Sequence, residues 1–292
     1  RNGIAIYKDL KKILFFDVVQ PEKLGFHKDL SAGSLAIEVS AYGEKIITNC
    51  GGSEIGGKNP AYLKFSAAHS TITLDNTNIS EINESNFNRN IIKKVNLETK
   101  DDKNLLKFSG THNGYVRNYK KICRRTLIIS KSSELLKGED TIISTKSIIE
   151  KNVYHIRFHL MPEISTTITE NKKNVIVKTK KNNIWMFKSN KEIVLEKSIF
   201  VRNDIANETT HRSLPFWHGS SFGRRGSGKK FLISFTTPRL AGLGIFVAAF
   251  IVARLCLFRV PCSNSVITRQ LIELFLLYLL KQIQVLLDLK SY

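Results

Sequence analysis

Between residues 30 and 200 apolar residues return at every second position in short runs, and almost nowhere at the spacing of a helix. SLAIEVS puts Leu35, Ile37 and Val39 on one side of an extended chain, and Tyr42-Gly43-Glu44 then turns it into KIITN. Similar runs follow in STITL, NIIKKVNLE, LLKFS, CRRTLIIS, TIISTKSII, VYHIRFHL, NVIVKT, NIWMFK and EIVLEKSIF. Short runs punctuated by turn residues about every ten positions predict an all-β fold, an antiparallel β-sandwich.

The chain changes character near position 200: residues 1 to 200 hold 27 Lys and 6 Arg, whereas residues 201 to 292 hold 4 Lys and 8 Arg. The expected division is a linker or remnant over 1–29, the sandwich over 30–200, a basic Gly/Ser/Arg linker over 201–239 and an apolar helical tail over 240–292. LAGLGIFVAAFIVARLCLFRV approaches the about 20 residues that cross a bilayer, but Arg254 within it costs about 2.5 to 3.5 kcal/mol on insertion. Three readings of the tail stay open: a membrane anchor, a helical hairpin that packs on a partner, or sequence foreign to the domain, such as a frameshifted end. Because the first residue is Arg, the chain is expected to be a fragment whose targeting information is missing.

A net charge of +20 suits a polyanionic partner, which charge alone does not choose. Cys50, Cys123, Cys256 and Cys262 form no C-x-x-C pair, so they read as free, structural thiols. GRRGSGKK places Gly223, Gly228 and Lys229 as a phosphate loop would, yet Lys230 stands where Ser or Thr would hold magnesium, and a basic linker is the better reading. Carboxylates are dispersed and no serine lies in a G-x-S-x-G elbow, so the common hydrolase templates find no support.

The histidines say more. In SAAHSTITLDNT, alternation puts Ile72 and Leu74 on one face and His69, Thr71, Thr73 and Asp75 on the polar one. In VYHIRFHL it puts Tyr154, Ile156, Phe158 and Leu160 inward, with His155, Arg157 and His159 together on the other face, where the arginine suits an anion or plain solvent better than a metal. GTHNGYVRNYKK carries Asn113-Gly114, a type I′ hairpin signal that would set His112 and Tyr115 side by side near Arg117 and Lys120.

The ordered series SLAIEVS, EKIITNCGG, SAAHSTITLDNT, GTHNGY, CRRTLIIS, LLKGEDTI and IRFHLMP resembles the C-terminal β-sandwich of bacterial heparinase II/III-like proteins over about residues 30 to 200. The resemblance implies a polysaccharide lyase that cleaves uronic-acid-containing polymers, glycosaminoglycans among them, by β-elimination in the periplasm or cell envelope. It implies a cleft between the sandwich and an N-terminal α/α toroid, and it makes His69 the catalytic histidine of the sandwich. An imidazole can neutralise charge or carry a proton at neutral pH. His112, Tyr115 and Arg157 are candidates for contacting an acidic polysaccharide.

The sequence departs from the family pattern at several places. A zinc site that such sandwiches build with the AAHxT histidine would need a histidine where Ser31 stands and an aspartate where Asn49 stands; His27 lies four residues early. Ser and a neutral amide are poor zinc ligands. Further family histidines are replaced by Cys123 and Met161, and no toroid precedes the first expected strand. The chain alone is therefore expected to be inactive, with the toroid as its missing partner, no nucleic-acid partner, and membrane contact only if the tail is genuine. The rival reading is a non-catalytic module that binds acidic polysaccharide; a membrane-anchored nucleic-acid binder is a third.

Overall fold

The computed structural model describes residues 3–20, 26–27, 30–51, 61–83, 88–89, 92, 94–145, 152–202, 205–213, 216–217 and 229–236. All of them lie in the unit that runs from Arg1 to Pro238. Among the described residues the strands form a seven-stranded sheet, an eight-stranded sheet and two three-stranded sheets, and every ladder is antiparallel. The expected all-β sandwich is what the chain forms.

Period-2 patterning builds the core. KILFFD buries alternate residues, including Leu14 and Phe16, and KICRRTLIIS buries Cys123, Arg125, Leu127 and Ile129. Inward side chains of the two large sheets join one apolar cluster, in which Phe16 stacks on Phe108 at 6.5 Å and Tyr42 leans on Trp185 at 5.7 Å. At Gly110 a Cβ would come within 2.6 Å of both Leu35 and Phe16, so a glycine lets the strand pass that close.

Both expected boundaries of the sandwich move outward. Ile4–Lys8 pairs with Lys12–Asp17, which in turn pairs with Ile37–Ala41, so residues 1–29 are no mere linker. The Asp9 carboxylate accepts from the amides of Lys11 and Lys12 and makes the tight turn between them. Beyond residue 200, Ile205–Ser213 pairs with Glu196–Arg202, and Lys229–Thr236 lies between Leu136–Ser144 and Ile184–Ser189. Lys229 and Lys230 therefore belong to a strand; the remainder of the phosphate-loop lookalike and the tail over 240–292 lie outside the described residues. Among the described residues no helix is long and apolar enough to cross a membrane.

Two other expectations are corrected. Asn113-Gly114 is not a two-residue hairpin: neither residue has the positive φ that a type I′ turn requires. The chain instead passes through the single helical turn Val116–Tyr119, closed by Lys120 at φ 54°, before entering Lys121–Ser130. The alternation in VYHIRFHL also breaks, because Tyr154–Ile156 belongs to a three-stranded sheet while His159–Leu160 pairs with Glu44–Thr48 in the seven-stranded one. His155 and His159 are consequently buried, not set on a solvated face.

Candidate active site

His69 lies just ahead of Ile72–Leu74, as the residue that closes the short turn Ser66–Ala68, with extended backbone and its N–H on Ser66 O at 3.1 Å. Hydrogen bonds to fixed partners hold this turn. Asn49 Oδ1 accepts from the Ser70 amide at 2.9 Å, the Cys50 amide donates to Ala68 O at 2.8 Å, and Ser70 Oγ donates to Thr48 O. Arg125 reaches the same turn from the opposite sheet, donating from Nη1 to Ser70 O (2.6 Å) and Leu35 O (2.9 Å) while its other nitrogens pair with both oxygens of Asp140. That ion pair is fully buried and bidentate, so its hydrogen bonds are satisfied and directional.

The ring of His69 rests on Gly33, where a Cβ would come 2.8 Å from ring Cγ. It hydrogen-bonds the Leu63 backbone, and Nε2 is enclosed and has no partner, so the bond belongs to Nδ1–H and Nε2 presents a bare lone pair. Burial lowers the ring's pKa to about 4, against the smaller upward pull of the Leu63 bond. At neutral pH His69 is thus a neutral acceptor and not a cation. His69 as a whole is half-buried, while Thr71 and Thr73 on the expected polar face are buried, Thr71 donating to Ser34 O.

The other candidates are not brought to the surface with it. His112 is 1% exposed; its Nδ1 accepts from the Gly114 amide, and burial, helped by the Arg125 charge, lowers its pKa to about 3. Tyr115, also 1% exposed, donates to Thr77 O at 3.0 Å and is pushed well above its ordinary pKa by burial. The two rings do lie together, 5.7 Å apart, but within the core, so the expectation that they contact polysaccharide fails on access. Arg157 is half-buried and donates from Nη1 to Thr73 Oγ1 at 2.9 Å; desolvation lowers its pKa, and Glu196 pulls the other way.

The residues at the zinc places do not fit the metal. Ser31 is exposed, and Asn49 uses its oxygen on Ser70 while its Nδ2 donates to Glu38 Oε1 at 3.0 Å. A donor N–H occupies the position where a cation needs an electron pair. Among the described residues no three His, Cys, Asp or Glu side chains come together as a metal cluster.

Sequence reasoning missed what lies beneath the turn. His159 Nε2 donates to Ala67 O at 2.9 Å, and its Nδ1 meets Ser198 Oγ at 3.0 Å. Cys50 Sγ lies 3.5 and 3.9 Å from the two ring nitrogens and 3.6 Å from Ser198 Oγ. Burial also pushes the Cys50 thiol up to about 11, so it is no nucleophile here. The string IRFHLMP marked His159; no local signal could have joined it to Ser198, 39 residues on.

A family model described as heparinase II/III-like, C-terminal, matches residues 2–224. The chain belongs to the heparinase II/III-like C-terminal family. Solved structures agree on the fold. A mutant of heparan sulfate lyase HepC from Pedobacter heparinus superposes on 81% of this heparinase II/III-like chain with a TM-score of 0.64 and 13% identity. A heparinase III gene product covers 81% with a TM-score of 0.63 and 10% identity. This chain spans 36% and 35% of those two proteins respectively, a little over a third of their length. No curated protein matches the sequence.

Proposed function

We propose that this chain is the sandwich part of a lyase that cleaves a uronic-acid-containing polysaccharide, of the heparan sulfate class, by β-elimination in the periplasm or cell envelope. The observation that carries the reading is the family match over residues 2–224, with a heparan sulfate lyase and a heparinase III among the structural neighbours. In β-elimination a base takes the C5 proton, the C–H electrons form the C4–C5 double bond, and the C4–O bond breaks with protonation of the leaving oxygen. A neutral imidazole can accept a proton but cannot neutralise the uronate carboxylate, which narrows the two roles expected of it to one. Arg157 would be a cation for the carboxylate. An α/α toroid supplies the remaining groups and the second wall of the cleft, so the chain alone has little or no activity.

The test is the ultraviolet absorbance of the unsaturated uronate product, with heparan sulfate, chondroitin sulfate and alginate offered to the chain joined to a toroid domain. His69→Ala should lower a detected rate roughly 10²- to 10⁴-fold, the usual worth of a general acid or base; an unchanged rate removes His69 from catalysis.

The enclosure of Nε2 and the burial of His112 and Tyr115 favour a second reading, a non-catalytic module that holds acidic polysaccharide on its basic surface. It predicts retention on immobilised heparin that weakens steeply with salt, because exposed charges are screened within about 8 to 10 Å near physiological ionic strength, and no unsaturated product. Retention of RNA or DNA at moderate salt would instead revive the nucleic-acid reading.

A further inference from the structure

We propose that His159 is the positioning residue for His69, holding the 67–70 turn from beneath so that the His69 ring keeps one tautomer and one direction. The inference rests on the catalytic reading of His69 for its functional meaning, though not for its geometry. His159 grips the turn on both sides of His69: its ring Nε2–H donates to Ala67 O at 2.9 Å, and its backbone N–H donates to Ser70 Oγ at 3.0 Å. The hydroxyl of Ser70 passes the hold on to Thr48 O in the seven-stranded sheet.

The tautomer of His159 follows from its partners. A carbonyl only accepts, so the proton must sit on Nε2; Nδ1 then carries the lone pair that accepts the Ser198 hydroxyl at 3.0 Å. His69 has the opposite arrangement, Nδ1–H on Leu63 and Nε2 bare. Ser198 therefore orients His159, and His159 orients the turn that carries His69. A carbonyl or hydroxyl that fixes one imidazole nitrogen so that the other is aimed is a recurrent device in catalytic and ligand-binding histidines.

Nitrogen-15 spectra of the histidine rings in this chain test the claim. The wild type should show His69 with its proton on Nδ1 and His159 with its proton on Nε2. His159→Leu should convert the His69 signal to a mixture of tautomers, whereas His159→Gln, whose amide can still donate to Ala67 O, should restore the wild-type pattern. Val175→Ala, in a buried strand of the eight-stranded sheet, controls for lost stability alone and should leave His69 untouched. If His159→Leu does not fold, Ser198→Ala gives a second reading: His159 keeps its Nε2 proton on Ala67 O but loses its orienting hydroxyl, and the His69 signal should become a mixture. A His69 pattern that stays unchanged in these variants overturns the proposal. With the toroid present, His159→Leu should lower kcat roughly tenfold to a hundredfold with KM little changed, the signature of a misplaced catalytic group. An unchanged lyase rate in His69→Ala would defeat the catalytic reading while leaving the spectra to judge the positioning.

Discussion

Three titratable groups with shifted pKa values make the stability of this molecule depend on pH. His69 and His112 have pKa values near 4 and 3 in the folded chain, lowered chiefly by burial, against about 6.5 when unfolded. Below pH 6.5 the unfolded chain binds protons that the folded one refuses, so their contribution to stability is complete above 6.5 and drains as the pH falls towards 4. Asp17 runs the other way: burial raises it to about 6, and the fold regains stability as the pH drops from 6 towards 4. Each group changes stability by about 1.4 kcal/mol per pH unit in its window, so among these three one histidine's worth, roughly 3 kcal/mol between pH 6.5 and 4.5, is uncancelled. Urea titrations at the two pH values measure it. His112→Asn, which keeps an acceptor for the Gly114 amide, should flatten the difference, because His69 and Asp17 then oppose each other. None of this was legible in the sequence: a histidine in an alternating run shows which face it takes, but not how much of the ring the rest of the fold covers.

At the level of single elements, the strand Lys121–Ser130 matters most to the site, since through Arg125 it joins the eight-stranded sheet to Leu35 and Ser70 beside His69. Replacing Arg125 by Met should cost about 3 to 5 kcal/mol in urea unfolding, because Asp140 would be left charged and unpaired in the core. Arg125→Lys should recover little, as an ammonium cannot make the two-pronged contact. Gly114→Ala should also destabilise, by about 1 to 3 kcal/mol in the same assay, since the added methyl would lie 2.6 Å from Ile79 Cγ2 and 2.9 Å from Ile79 O. The strand Lys121–Ser130 was plain in CRRTLIIS, where alternation is long enough to fix the face; its burial pattern runs through Leu127 and Ile129. That the second arginine points into the core was not, because its partner Asp140 lies on the neighbouring strand, 15 residues away. Asn113-Gly114 misled for a related reason: the glycine is there to pass Ile79, a tertiary contact, and not to bend a hairpin.

For the whole molecule, the sandwich class could be read from patterning, while its ends could not. KILFFD alternates as well as any later run and lies inside the family match over residues 2–224, yet it precedes SLAIEVS, the first of the motifs legible in the sequence. The composition break near residue 200 suggested an end where the chain still has a central strand to contribute. A chain ended at residue 202 should therefore lose cooperative unfolding by calorimetry, because Leu136–Ser144 and Ile184–Ser189 would each be left with an open edge. One ended at Pro238 keeps every described strand and should retain a single transition. Lys229–Thr236 is also the last described strand to leave the ribosome, and its place is the middle of its sheet. Synthesis thus yields two half-sheets that must wait, unjoined, for the ribbon made last, and in that interval the nascent chain depends on whatever shields its unpaired amides from its neighbours.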